Sequence, residues 1–331
     1  MLPTIRKIDI KSQSLNSAEN LGLHLISGSS NIPLSGGISQ YLGAQLGSRE
    51  LKSFSDGEIY VQIHESIRGD DIYIIQSTCY PVSCHLTELL IMLDACRRAS
   101  AKQVTAVIPY YGYARADRKV AGRESITAKL VANLITAAGA DRVIALDLHS
   151  PQVEGYFDIP IEHIQAAPVL LDYLHQEQLS DVVIVSPDIG GVARARAFAK
   201  QFNDAPLAIV DKRRKAHNVA EAFNVIGDVK GKTAILVDDI IDTGGTLVES
   251  AKILKREGAK SIYACATHAV FSGNAVEKLS SGLFEKVIIT NTIPTPKEKF
   301  FKQLIILSVG NLLGEVIHRV HQNSSLIDSS L

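Results

Sequence analysis

Short apolar runs recur along this chain of 331 residues, and longer segments with a helical pattern separate them. Most of the runs are continuous and rich in β-branched residues, which is typical of strands that are covered on both faces. Strands that alternate with helices predict an α/β protein with a mainly parallel sheet flanked by helices. The predicted strands are 72–75, 104–109, 142–148, 182–188, 233–239, 261–269 and 286–292.

Two of the intervening segments predict helices with recognisable ends. The first spans 124–140, and Gly139 is its predicted C-terminal cap. The second spans 246–260, with Thr246 as the predicted N-cap and Gly258 as the stop. The predicted buried face of the first helix comprises Ile126, Leu130, Val131, Leu134 and Ile135.

A loose internal repeat suggests two similar lobes. The segments "RVIALDLHS" (142–150) and "TAILVDDII" (233–241) are both apolar strands that end in acidic residues, and about 90 residues separate them. The chain would then divide near Ala166–Pro168. Only the second copy continues into the sequence D-T-G-G-T.

Composition excludes several classes of protein. The net charge of −1 and a pI near 6.8 argue against a surface that binds nucleic acid or membrane along the whole chain. No apolar run approaches the about 20 residues that span a bilayer. The four cysteines form no C-x-x-C pair, which favours buried side chains in a reducing, cytoplasmic compartment. The serine-rich N-terminus faintly resembles a transit peptide, but we expect a short disordered tail.

The segment "ILVDDIIDTGGTL" (235–247) combines acids with a glycine turn. Asp238 and Asp239 end a predicted strand, at the edge of the sheet where ligands bind in open α/β folds. The turn 243–246 then opens a helix, whose exposed backbone N–H groups attract anions. Carboxylates repel phosphate but suit sugar hydroxyls or a cation that accompanies phosphates. The pattern predicts a sugar-phosphate site; the alternative is a strand–turn–helix junction with an acidic cap.

The sequence "VDDIIDTGGT" resembles the 5-phosphoribosyl-1-diphosphate (PRPP) loop of phosphoribosyltransferases and of ribose-phosphate diphosphokinases. The rest of the chain resembles the diphosphokinases specifically, from about Leu23 to His321. The segments that carry this resemblance, in order, are "SFSDGEIYVQIHESIRGDDIYIIQST", "IPYYGYARADRK", "LDLHSPQVEGYFDIP", "VSPDIGGVARAR", "DKRR" and "NVIGDV".

The resemblance implies two phosphoribosyltransferase-like lobes, each a mainly parallel sheet flanked by helices. The expected domains are 23–166 and 167–309, preceded by an extension (1–22), with 310–331 packing back on the first domain. The implied reaction transfers the diphosphoryl group of ATP to the anomeric hydroxyl of ribose 5-phosphate, giving AMP and PRPP for nucleotide, histidine and tryptophan biosynthesis.

The resemblance also assigns roles to residues of the PRPP loop and of the basic cluster "DKRR". Lys212 would contact the transferring phosphoryl group, and Arg214 would hold phosphate and neutralise charge. Read by itself, the cluster is a solvated charge run or a nucleic-acid patch, and the near-zero net charge disfavours nucleic acid as a partner. The ribose-5-phosphate residues implied are Arg214, Asp238, Asp239, Asp242, Thr243, Gly244, Gly245 and Thr246.

His149 and Asp188 resemble the ligands of a Mg²⁺ site. A lone histidine is more often structural, and Mg²⁺ prefers oxygen ligands. We therefore expect few protein ligands, with ATP phosphates completing the coordination.

For ATP, the resemblance implies a group of residues from two segments. Family members often read Y-A-R-Q-D-R in the second segment, whereas this chain has Ala116 in place of glutamine, so we expect modestly altered nucleotide contacts. The implied ATP-binding residues are Phe54, Asp56, Gly57, Glu58, Arg115 and Ala116.

The resemblance further implies a site for phosphate and ADP as effectors, formed by Ser66, Arg68 and Ser308. From the sequence alone, Arg68 could equally be a surface arginine with no role in binding effectors. It also implies a homo-oligomer of dimers that assemble into a hexamer.

Three other functions stay open at this stage. A phosphoribosyltransferase also uses the PRPP loop, but it needs a base-binding hood and no F-S-D-G-E segment. A non-catalytic, synthetase-associated regulatory subunit keeps the fold, yet Lys212, Arg214, His149 and Asp188 are all present. A non-enzymatic nucleotide sensor is the third possibility.

Overall fold

The computed structural model describes residues 22–213 and 222–326, which form two compact units. The amino-terminal unit comprises the described part of Asp9–Ala166, together with Thr292–Pro294 and the described part of Ser308–Leu331. The carboxy-terminal unit comprises Ala167–Asn291 and Thr295–Leu307. None of the helices in the described ranges is long and apolar enough to cross a membrane.

The amino-terminal unit contains a parallel five-stranded sheet of order β1-β4-β5-β6-β7 and an antiparallel hairpin, β2–β3. Its elements are β1 (Leu23–Ser27), α1 (Ile32–Leu42), β2 (Arg49–Ser53), β3 (Ile59–Ile63), β4 (Asp71–Ile75), α2 (Val82–Arg98), β5 (Gln103–Ile108), α3 (Thr127–Ala138), β6 (Arg142–Leu146), a 3₁₀ helix (Pro151–Tyr156) and β7 (Ile161–Ile164).

The carboxy-terminal unit contains a seven-stranded sheet of order β10-β9-β8-β11-β12-β13-β14, in which only β10 runs antiparallel to its neighbour. Its elements are α4 (Ala167–Gln176), β8 (Val182–Ser186), α5 (Val192–Gln201), β9 (Leu207–Arg213), β10 (Ala222–Ile226), β11 (Thr233–Ile241), α6 (Gly245–Arg256), β12 (Ser261–Ala269), α7 (Ala275–Leu279), β13 (Lys286–Thr290), a 3₁₀ helix (Lys297–Lys299) and β14 (Leu304–Leu307). The last helix, α8 (Gly310–His321), belongs to the amino-terminal unit and packs against α1.

Each of the two sheets has its own apolar core. In the amino-terminal unit, Ile72 and Ile74 of β4 pack with Leu89 of α2. In the carboxy-terminal unit, Leu236 of β11 packs with Leu254 of α6. Each such side chain contributes roughly 1.5–3 kcal/mol when it leaves water. The predicted strands all lie on observed strands, and the α/β fold with mainly parallel sheets is confirmed.

Both halves of the chain follow the same order of elements, but the repeat differs from the one that the sequence suggested. In the carboxy-terminal unit β9 pairs with β8, and in the amino-terminal unit Leu46 forms a parallel bridge to Leu25 of β1 in the matching place. The next strand on the other side is β11 in one sheet and β4 in the other. The prediction that 142–150 and 233–241 are equivalent copies of the repeat is therefore wrong, because β11 corresponds to β4 and not to β6.

Helix α3 ends as predicted but buries a different face. Gly139 has φ of +114° and caps the helix, so that prediction is confirmed. The side chains of Ile126, Leu130 and Leu134 are 37%, 52% and 39% exposed. The prediction that they face the core is wrong, because the face that meets the sheet is completed by small residues. The buried residues of this helix are Ala128, Val131, Ala132 and Ile135.

Candidate functional site

Two carboxylates lie side by side near the end of β11, and one arginine contacts both. The Nη1 atom of Arg194, on α5, lies 3.3 Å from Oδ1 of Asp238 and 3.0 Å from Oδ1 of Asp239. The backbone N–H of Asp239 also donates to Asp238 Oδ1, at 2.9 Å. Asp239 is buried and Asp238 is partly exposed. The prediction from sequence included the acids but gave no role to Arg194, which holds their orientation.

The acid pair resists carrying two full negative charges. Burial away from water and the neighbouring Asp239 raise the pKa of Asp238 to about 8, and the Arg194 guanidinium opposes that shift. Hydroxyl donors or a cation would relieve this repulsion. The electrostatics of the pair therefore suit a polyhydroxyl ligand, as the sequence suggested for Asp238 and Asp239.

The turn after β11 begins a helix at a glycine. Gly244 is the N-cap of α6, with φ of +68°, in the left-handed region that favours glycine. The helix starts at Gly245, so the prediction that Thr246 is the N-cap is wrong: the left-handed turn at Gly244 makes Thr246 the second helical residue. The first N–H groups of a helix have no partner within it, and together with the helix dipole they form an anion site.

The segment between β12 and α7 forms hydrogen bonds with the residues just before this turn. The N–H groups of Val270 and Phe271 donate to Ile241 O, at 3.0 and 3.1 Å, and that of Ser272 donates to Asp242 O at 3.0 Å. These bonds fix the backbone of Ile241 and Asp242 just before the turn.

A lysine supports the same turn. The ammonium of Lys278 donates to Thr243 O at 3.3 Å, and the side chain of Leu279 lies next to Gly244. Lys278 was also missed from the sequence. Its spacing of 35 residues from Thr243 gives no local signal.

The predicted adenine-contacting residues lie at the tip of the β2–β3 hairpin. The Phe54 ring is 48% exposed and meets Tyr60 edge-on, with ring centroids 5.9 Å apart. Asp56 Oδ1 accepts the N–H of Glu58 at 3.1 Å, and Gly57 adopts φ of +95°. The tip therefore has a fixed shape and presents an aromatic face and two exposed acids to solvent.

Arg115 and Ala116 lie in the connection between β5 and α3. Arg115 is exposed, whereas Ala116 is half-buried and uses its main chain. Its N–H donates to Tyr113 O at 2.9 Å, and its carbonyl accepts the N–H of Ala128 at 3.2 Å. The backbone contacts at position 116 thus shape the loop independently of the side chain.

The two predicted metal ligands lie in different units. His149 is exposed after β6, and Asp188 is exposed after β8, with Oδ1 accepting the N–H of Gly191 at 2.8 Å. Within the described parts of the chain, no group of three or more His, Cys, Asp and Glu side chains is placed to hold a metal ion. Each of the two exposed side chains can supply one ligand to a cation that receives its other ligands from phosphates and water.

The predicted catalytic residues fall at the edge of the described structure. Lys212 is the sixth residue of β9, but the position of its side chain is not described. Arg214 lies outside the described residues.

The predicted effector residues belong to the amino-terminal unit. Ser66 and Arg68 are exposed in the connection between β3 and β4. Ser308 precedes α8, and its hydroxyl oxygen accepts the N–H of Gly310 at 3.2 Å.

Comparison with known proteins agrees with this geometry. Residues 23–139 match a family model described as the N-terminal domain of ribose phosphate pyrophosphokinase, and residues 201–329 match a phosphoribosyl synthetase-associated domain. The chain is 70% identical to the ribose-phosphate pyrophosphokinase of Nostoc sp. over 308 residues, which cover 93% of each chain.

Two further relatives extend the comparison. The chain is 64% identical to ribose-phosphate pyrophosphokinase 2, chloroplastic, of Arabidopsis thaliana, over 94% of this chain and 78% of that one. The crystal structure of phosphoribosylpyrophosphate synthetase from Mycobacterium smegmatis matches with a TM-score of 0.87 and 41% identity, over 91% of this chain and 99% of that one. The chain therefore belongs to the ribose-phosphate pyrophosphokinase family.

Proposed function

We propose that this protein transfers the diphosphoryl group of ATP to the anomeric hydroxyl of ribose 5-phosphate, producing PRPP and AMP. The observation that carries the proposal is the arrangement near the end of β11, where Arg194 holds the Asp238–Asp239 pair shortly before the Gly244 turn. One end of this segment suits hydroxyl groups and the other suits phosphate, which are the two ends of ribose 5-phosphate. Family membership makes ATP the second substrate.

In the proposed complex, the backbone N–H groups of 243–246 bind the 5-phosphate, with Thr243 and Thr246 adding hydroxyl donors. Asp238 and Asp239 accept hydrogen bonds from the ribose hydroxyls, and Asp242 completes the acidic end of the segment. The sugar is then oriented with its anomeric oxygen free to attack the β-phosphorus of ATP in line.

The nucleotide would bind through the residues of the amino-terminal unit. Phe54 offers its exposed ring to the adenine, Asp56 and Glu58 offer carboxylates to base and ribose hydroxyls, and Arg115 offers a guanidinium to phosphate. Gly57 shapes the hairpin tip, and Ala116 contributes only backbone groups.

The charge that develops on the transferring group requires cations. Lys212 and Arg214 would stabilise it, since positioned cations supply most of the catalysis in phosphoryl transfer. His149 and Asp188 would hold Mg²⁺ together with ATP phosphates, and the ion would supply further neutralisation of phosphate charge.

The test is formation of AMP from ATP that depends on ribose 5-phosphate and Mg²⁺. Lys212→Ala should lower turnover by at least about 10²–10³, by analogy with removing one transition-state donor. Lys200→Ala, an exposed lysine on α5, is the matched control and should keep turnover within about twofold. Base-dependent release of diphosphate from PRPP, with no AMP formed, would contradict the proposal and favour a transferase.

Regulation and assembly are part of the same proposal. Phosphate and ADP would act at Ser66, Arg68 and Ser308. Arg68→Ala should then weaken phosphate activation and ADP inhibition, and an unchanged response would contradict the assignment. Assembly of dimers into a hexamer is testable by light scattering.

Domain limits and location complete the proposal. The predicted division near residue 166 and the return of 310–331 to the first domain are proposed as folding domains, with 292–294 and 308–309 also assigned to the first domain as in the compact units. Limited proteolysis near residue 166 tests this division. A cytoplasmic location is testable with a full-length fluorescent fusion.

A further inference from the structure

The segment that carries His149 is tied down on both sides of that residue. Before it, the N–H of Leu148 donates to Nε2 of His163 at 2.9 Å, and Oδ2 of Asp147 accepts the N–H of Ala166 at 3.0 Å. His149 itself is exposed. These bonds fix the backbone directly before His149, so the point from which its exposed side chain extends is fixed.

The bond on the other side reaches a different loop. The hydroxyl of Ser150 donates to Oδ2 of Asp117 at 2.6 Å, across 33 residues of sequence. Asp117 lies two residues after Arg115, in the connection between β5 and α3, and its carbonyl accepts the Tyr156 hydroxyl. Asp117 is therefore fixed through both its main chain and its side chain, and it joins the segment of Arg115 to the segment of His149.

We propose that Asp117 is a positioning residue that couples the nucleotide-binding loop of Arg115 to the cation-binding loop of His149 through its hydrogen bond from Ser150. The inference rests on the proposed function, which places ATP phosphate at Arg115 and its Mg²⁺ at His149. Asp117 touches neither ligand and acts through the two loops.

The physical reason is that Mg²⁺ and the ATP phosphates bind as one unit. The guanidinium and the imidazole must then be held at a fixed separation, because each contacts a different part of the same complex. A short hydrogen bond to a carboxylate is among the strong ones in proteins, so it can fix that separation. Without it, the Tyr156 hydroxyl still bonds the Asp117 carbonyl and keeps the two segments together. The bond next to His149 is lost, however, so the spacing of the guanidinium and the imidazole is set less tightly and binding of the metal–nucleotide complex weakens.

The experiment compares three variants in the full-length protein. Ser150→Ala removes the donor. Asp117→Asn keeps an amide oxygen that can accept from Ser150, so it is the conservative variant. Ser125→Ala is the matched control, because its hydroxyl makes only a local contact with Thr127, at 2.6 Å, in the same β5–α3 connection. Calorimetry measures the affinity for ATP in Mg²⁺ and in EDTA, and steady-state kinetics measure both substrates.

Ser150→Ala should weaken MgATP binding about tenfold, the size expected for one hydrogen bond to a charged group, and should leave metal-free ATP within about twofold. KM for MgATP should rise by the same factor, while KM for ribose 5-phosphate stays unchanged. Asp117→Asn should lie between Ser150→Ala and the wild type, since neutral hydrogen bonds are about half as strong. Ser125→Ala should match the wild type.

Equal losses for MgATP and metal-free ATP would overturn the coupling, because they indicate a general structural effect. Wild-type behaviour of Ser150→Ala would overturn it as well. Neither result affects the proposed function, which fails separately if the wild-type protein forms no AMP from ATP and ribose 5-phosphate. Thermal unfolding of each variant verifies that the fold is retained.

Discussion

The two units place matching strands, β4 beside β1 and β11 beside β8, yet the residues at the carboxyl ends of β4 and β11 have opposite characters. Asp71 pairs with Leu23 at the start of β1, and Thr233 pairs with Val182 at the start of β8. Counting from these pairs, Gln76 occupies the place of Asp238, and Ser77 that of Asp239. The same fold therefore offers the same position twice.

In the amino-terminal unit, side chains of the protein itself fill that position. Gln76 is fully buried; its amide donates to Glu88 Oε1 at 2.8 Å, and its oxygen accepts the N–H of Ser30 at 3.1 Å. Glu88 also accepts the Ser29 hydroxyl at 2.7 Å. A side chain at Gly28 would overlap Gln76. The polar groups satisfy one another, so this strand end is built for stability.

In the carboxy-terminal unit, two acids meet one arginine and a helix N-terminus follows. The same strand topology occurs in both units, so topology alone does not make this position suitable for a ligand. The difference lies in whether the side chains at the strand end satisfy each other or remain suited to a ligand.

The largest expected effect is on turnover and concerns Asp239, one of the two acids that distinguish the carboxy-terminal unit. Asp239→Asn keeps the size of the side chain but removes the charge next to Arg194, and turnover with ribose 5-phosphate should fall by about 10²–10³. Ser77→Ala, at the matching position, should leave turnover within about twofold. Steady-state AMP formation measures both. Comparable losses of turnover in the two variants would contradict the proposed functional difference between the two strand ends.

Glu88→Ala should show the reverse behaviour. It removes the acceptor of the Ser29 N–H and one of the two acceptors of the buried Gln76 amide, which keeps its bond to His85 O; the free energy of unfolding should fall by about 3 kcal/mol. Turnover of the folded enzyme should stay within about twofold. Urea denaturation measures the loss, with the exposed Glu249→Ala as control, expected within about 0.5 kcal/mol of wild type. A stable but inactive Glu88→Ala protein would show that this loop binds substrate.

The comparison also shows what sequence alone can reach. The strands were predictable because parallel strands buried on both faces are continuous apolar runs. The repeat was misaligned because acids stand at the carboxyl ends of both apolar runs, Asp147 directly after β6 and the Asp238–Asp239 pair within β11. The true counterpart β4 is followed by Gln76 and Ser77. The sequence comparison matched segments by their acidic residues. The repeat is instead defined by the order of the strands in each sheet.

The same limit applies to side chains. Asp238 and Asp239 were predictable since they follow an apolar run directly. Arg194 and Lys278 contact the segment from 44 and 35 residues away, so only the fold brings them there. Leu130 and Leu134 fit a helical period but face solvent, because the period cannot tell which face of α3 meets the sheet.

Gly244→Ala tests the turn that the amino-terminal loop lacks. A side chain at φ of +68° costs about 1–2 kcal/mol, so the turn should shift, whereas the new Cβ would meet Leu279 Cγ at 3.4 Å, an ordinary van der Waals contact. KM for ribose 5-phosphate should rise about tenfold, with KM for ATP unchanged. Gly231→Ala carries the same strain at φ of +73° in open space and should change only stability. An unchanged KM in Gly244→Ala would separate the turn from phosphate binding.

The smallest expected effect concerns Lys278. Its ammonium contacts the carbonyl of Thr243, and the N–H of Gly244 belongs to the same trans peptide, so the lysine polarises that N–H toward an anion on the other side. Lys278→Met should raise KM for ribose 5-phosphate about threefold at low salt, and Lys278→Arg should restore it. The difference should shrink as salt screens the charge. Lys252→Met removes an exposed lysine that pairs with Glu249 on α6. If Lys252→Met raises KM for ribose 5-phosphate as much as Lys278→Met does, the effect comes from the net charge of the unit and not from the contact between Lys278 and Thr243.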